Sequence, residues 1–173
     1  LLSMVFALVL FIPFLVFVPL VVRGMAGSEL AVGLAAIVSW MVLPVNNIAT
    51  HMAVHTNSNA LFLVPAVLFA LVAFLRRRAT VERLPFGVSP FSVLILLTGF
   101  VLLVVHPQQM VNVVILIGAI SGVQYLARRR FDDHPMLEHP TTYVHTISLG
   151  ALFGIWALGN ERFRQAVAAL VTG

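Results

Sequence analysis

Asn47, His51, His55 and Asn59 recur at every fourth position. On a helix each such step advances about 400°, so the four side chains form one slowly drifting polar stripe. Two imidazoles at i and i+4 have the spacing that brings both to one metal ion, and His106 is available as a third ligand. Three imidazole donors suit Zn or Cu. The cofactor expectation is therefore a transition metal held by His51, His55 and His106. Without a metal, Asn47, His51, His55 and Asn59 read as the lining of a ligand-binding pocket, because polar groups at membrane depth are costly unless they face a bundle interior or a cavity. A b-type haem fits poorly, since His51 and His55 are one turn apart and cannot take opposite faces of one ring.

A second group of chemistry-bearing residues lies in segment 131–145, FDDHPMLEHPTTYVH, which carries Asp132, Asp133, His134, Glu138, His139 and His145. His beside carboxylates can bind a metal or buffer protons. Pro135 and Pro140 interrupt the segment, and its spacings match no specific metal motif, so it reads as a polar loop.

Ser121 is the third candidate. It sits in Gly118-Ala119-Ile120-Ser121-Gly122, and His145 follows on the next apolar segment. Ser121-Gly122 is similar to the second half of the G-x-S-G motif of rhomboid intramembrane proteases, with Ala119 in place of the first glycine. His55 and Asn59 resemble that family's H-x-x-x-N pair on an earlier span. The resemblance covers about 51–62 and 118–125. It implies a Ser121–His145 catalytic pair, with His55 and Asn59 helping to stabilise the oxyanion. The same glycines, Gly118 with Gly122 and Gly150 with Gly154, also have the G-x-x-x-G spacing that lets helices approach closely. That spacing predicts a tight antiparallel pair of helices.

The elements that must carry these residues are apolar. Hydrophobic residues make up 61% of 173, mean hydropathy is +1.06, and charged residues are 9%, against about 25% in a soluble domain. Segments 1–22, 29–45, 56–75, 88–105, 109–127 and 141–158 hold no charge except Glu29 at one edge. A span needs roughly 20 apolar residues, so 29–45 is marginal. The expected fold is an all-α integral membrane protein, 1–173 as a single helical domain. It has six transmembrane helices, or five plus an interfacial one. Segment 1–22 reads as a span rather than a signal peptide, because no basic stretch precedes it.

Charge placement predicts orientation. Of the ten basic residues, all Arg, eight fall in three connections on one side: Arg23; Arg76, Arg77, Arg78 and Arg83; and Arg128, Arg129 and Arg130. The alternate connections, 46–55 and 106–108, hold none; only Arg162 and Arg164 break the pattern. By the positive-inside rule the Arg-rich loops are cytoplasmic and 46–55 and 106–108 external. The pI near 11.1 then reflects topology, with no nucleic acid implied. Partners are the lipid bilayer and other membrane subunits. With no Cys, thiolate chemistry is excluded. No P-loop or HExxH appears, and no span carries a carboxylate, Lys or Arg for a proton or cation pathway. The functional expectation is a membrane module without hydrolytic chemistry: a subunit of a complex, a sensor's membrane region, or a carrier of a neutral or apolar ligand. The alternative is a membrane-embedded enzyme, rhomboid-like or using a His-bound metal.

Overall fold

The structure is a computed structural model that describes residues 2–43, 56–76 and 84–172. Seven α-helices make up the fold among the described residues, with no strand: α1 (Leu2–Ala26), α2 (Glu29–Leu43), α3 (Thr56–Leu75), α4 (Pro90–Val105), α5 (Pro107–Arg130), α6 (Tyr143–Gly159) and α7 (Glu161–Thr172). The first six coincide with the six apolar segments to within a few residues. The seventh has no counterpart among them.

Local chemistry sets the joints. Gly27, at φ 64°, takes the left-handed position that ends α1, and the Ser28 hydroxyl accepts from Ala31 N at 3.4 Å to start α2. Ser89 caps α4 through Phe91 N, with Pro90 at the first helical position, where its missing N–H costs nothing. Helices α4 and α5 are joined by His106 alone. Its N–H donates to Leu102 O at 2.7 Å, and its carbonyl accepts from Gln109 N at 3.0 Å. Helix α3 runs through Pro65.

The core lies between α3, α4, α5 and α6. Val67, Ala70 and Leu71 meet Ile95, Leu102 and Leu103, then Met110, Val113, Ile117 and Leu149. Helix α1 packs on the far side of α3, and α2 packs on α1. Phe69 of α3 links outward to Phe17 of α1 and across to Phe91 of α4, with ring centroids at 5.3 and 6.3 Å. These contacts bring together the C-terminal ends of α1, α3 and α5 with the N-terminal ends of α4 and α6. Arg23, Arg76 and Arg128 to Arg130 therefore share one end of the bundle, and His106 lies at the other.

The G-x-x-x-G expectation needs correction. A Cβ on Gly118 would touch only Thr146 Cγ2, at 3.6 Å, and one on Gly122, Gly150 or Gly154 would meet nothing within 4 Å. Hydroxyls and an amide make the α5–α6 contact instead. The close approaches occur at Gly24, whose Cβ would lie 2.8 Å from Val72 Cγ1, and at Gly99, 2.6 Å from Leu149 Cδ2.

By length and composition, one helix among the described residues can cross a membrane, Pro107–Arg130. Helices α2, α4 and α6, with 15, 16 and 17 residues, reach about 22–26 Å at 1.5 Å per residue, short of a hydrocarbon core of about 30 Å. Six separate spans are thus more than helix length alone supports.

Candidate functional site

Helix α5 buries one stripe: Met110, Val113, Ile117, Ser121, Gln124 and Ala127. The steps of three and four keep these residues on one face. The stripe is apolar near His106 and polar toward the Arg-rich end. Opposite its polar part stands the start of α6, where Thr142 and Thr146 are one turn apart.

These groups form a closed hydrogen-bond chain whose direction can be worked out. The N–H of Thr142 can only donate, and it reaches Gln124 Oε1 at 3.0 Å. The Pro140 carbonyl can only accept, and it takes Gln124 Nε2 at 2.9 Å. Both amide atoms are thereby assigned. Thr142 Oγ1 must then donate to Gln124 Oε1, at 3.0 Å. Having spent its proton, Thr142 Oγ1 must accept from Ser121 Oγ, 2.7 Å away. Ser121 in turn accepts from Thr146 Oγ1, also at 2.7 Å, and Thr146 Oγ1 donates as well, over a longer 3.3 Å, to the Thr142 carbonyl. Ser121, Gln124 and Thr142 are buried. Each hydroxyl has one proton, so Ser121 and Thr142 each donate once, while Thr146 divides its proton between the Ser121 hydroxyl and the Thr142 carbonyl.

The chemical consequence concerns Ser121. A nucleophilic hydroxyl needs a base within hydrogen-bond reach. Here its proton points to Thr142, and its accepting side is occupied by Thr146. His145 is buried on the adjoining face of α6, with its ring edge-on to Phe74 of α3 at 4.7 Å. No hydrogen bond joins Ser121 to His145 in this structure; His145 Nδ1 is buried without a hydrogen-bond partner among the described residues, as are His106 Nδ1 and the Tyr143 hydroxyl.

The other sequence candidates are dispersed or lie beyond description. Asn47, His51 and His55 lie outside the described residues, and Asn59 is in the first turn of α3, at a position whose side chain is also outside them. His106 occupies the α4–α5 joint. In the 131–145 segment, Asp132, Asp133 and Glu138 are exposed, and the His134 ring lies 5.3 Å from that of Phe131. His139 Nδ1 donates to the Leu75 carbonyl at 2.9 Å, fastening this loop to the end of α3. Among the described residues, no group of three or more His, Asp or Glu could hold a metal ion.

Gln124, Thr142 and Thr146 were not singled out from the sequence. The signal was present, however: Ser121 and Gln124 at i, i+3 face Thr142 and Thr146 at i, i+4 on consecutive apolar helices. Comparison with protein families, curated proteins and solved structures finds no match for this chain.

Proposed function

We propose that this chain is a multi-pass membrane module that works by packing and binding rather than by hydrolysis, as a subunit of a larger membrane complex or a carrier of a neutral or apolar ligand. The observation that carries this reading is the apolar outer face of α5. Its inner stripe holds Ser121 and Gln124, while Ile115, Leu116, Val123 and Leu126 are exposed. Only 33% of its apolar window is buried, whereas the core helix of a water-soluble protein would be mostly covered. The same arrangement continues on neighbouring helices: Val104 is 69% exposed, Ile147 70% and Ile155 71%. An apolar surface of this extent needs lipid or apolar partner helices around it. The shorter helices are accommodated by a locally thinner bilayer or by flanking residues reaching for the interface.

The engagement of the Ser121 hydroxyl by Thr142 and Thr146 supports the non-hydrolytic side of this reading. Two measurements test the reading together. The protein should stay with membranes through alkaline carbonate washing and leave them only in detergent. A fluorophosphonate probe should leave Ser121 unlabelled in the purified protein. Release by carbonate would overturn the membrane assignment; stoichiometric labelling at Ser121 would overturn the non-hydrolytic one.

A further inference from the structure

Arg162 and Arg164 are the two residues that charge asymmetry leaves unexplained, and α7 accounts for them. Asn160 ends α6 and starts α7: its side-chain Oδ1 accepts from Phe163 N at 3.0 Å and its carbonyl from Arg164 N at 3.1 Å. Phe163 packs back onto α6 in a three-ring cluster with Phe153 and Trp156, at centroid distances of 5.8 and 5.7 Å. At about 100° per residue, positions 167 and 170, Val and Leu in the sequence, share the side of Phe163. Arg162 and Arg164 fall about 100° to either side of it. Both are exposed, and neither makes an ion pair among the described residues. The opposite side carries Glu161 and Gln165, bonded to each other at 3.3 Å.

An apolar side edged by two arginines, with acidic and amide groups opposite, is the pattern of a helix lying in the membrane interface. The guanidinium groups reach outward to phosphates while the apolar side sinks among acyl chains. Trp156, whose ring packs on Phe163, is of a residue type that favours the headgroup level.

We infer that α7 is an interfacial helix whose side bearing Phe163 and positions 167 and 170 turns toward the bilayer surface, with Arg162 and Arg164 bound to anionic lipid headgroups. This rests on the membrane reading of α5. It also gives Arg162 and Arg164, which break the charge pattern, a role at the bilayer surface.

Because the chain has no Cys, single spin labels can be placed at 165, 167, 168 and 170. The labelled protein is reconstituted in phosphatidylcholine vesicles with and without about one-third phosphatidylglycerol. Accessibility to oxygen should peak at 167 and 170, and accessibility to a water-soluble nickel chelate at 165 and 168. In anionic vesicles, Arg162→Glu with Arg164→Glu should lower the docked-to-undocked ratio by roughly five-fold per arginine. A label at 97 on α4 separates the two readings. Lipid-facing 97 with uniformly aqueous 165–170 overturns the interfacial helix alone, whereas an aqueous 97 overturns the membrane assignment beneath it. Docking that ignores both the phosphatidylglycerol and the arginine substitutions overturns the anionic headgroup as the partner.

Discussion

Ser121 shows how one side chain can suggest catalysis by its neighbours in sequence and packing by its neighbours in space. Its flanking glycines suggested a nucleophile, but its hydroxyl is one link in a chain that ends on the Gln124 amide. Loss of different links should therefore cost different amounts. Ser121→Ala removes one hydroxyl between two threonines that keep other partners, so a loss of about 1 kcal/mol is expected. Gln124→Leu strands both the Thr142 N–H and the Pro140 carbonyl, and should cost roughly 2–3 kcal/mol. Thermal unfolding in detergent measures both, and a larger loss for Ser121→Ala would contradict the assigned direction of the chain. His139→Phe should free the loop from the Leu75 carbonyl. Faster proteolysis between 131 and 140, with little change in the unfolding midpoint, is the expected result; unchanged cleavage would show that the loop is held by other contacts.

For helices, sequence was a good guide to existence and a poor one to contact. Apolar runs bounded by Arg, Pro and Gly gave six of the seven helices, because a segment that cannot be solvated must pair its backbone internally. Helix α7 was missed because five of its 12 residues are polar and its apolar positions appear only in projection. The glycine pairs misled for a related reason. Spacing of four shows that two glycines share a face, but not which face meets a neighbour. On α5 that face is set by Ser121 and Gln124, and Gly122, one residue from Ser121, points away. Gly99, buried against Leu149 and Met110, is the glycine that the packing needs. Gly99→Leu should destabilise by about 1–3 kcal/mol through overpacking, while Gly122→Leu should be neutral within error. Equal unfolding temperatures for the two variants would refute the observed register of α4 against α6.

At the scale of the whole molecule, Arg23, Arg76 and Arg128 to Arg130 lie at one end of the bundle and the single-residue joint at His106 at the other, which leaves the side of the membrane each end faces as a proposal. Orientation is open to direct measurement. A single Cys in place of exposed Asp133 should react with an impermeant maleimide only after the cytoplasmic face is opened. A Cys in place of exposed Gln108 should react in intact cells. The reverse pattern would invert the protein in its membrane. The polar stripe was legible as a stripe but not as a site: Asn47, His51 and His55 lie outside the described residues, and spacing alone does not bring His106 to them.

The hydrogen-bond chain between α5 and α6 also bears on how the protein is made. Ser121 and Gln124 come from the earlier of the two helices, and Thr142, Thr146 and the Pro140 carbonyl follow. Alone in hydrocarbon, α5 would expose a hydroxyl and an amide with no partners. On the membrane reading proposed above, its release into lipid is favoured once α6 has emerged from the ribosome, so the two should leave the translocon together as a hairpin. Nascent chains halted soon after residue 130 should still crosslink to the translocon through α5, and chains extended past 159 should not.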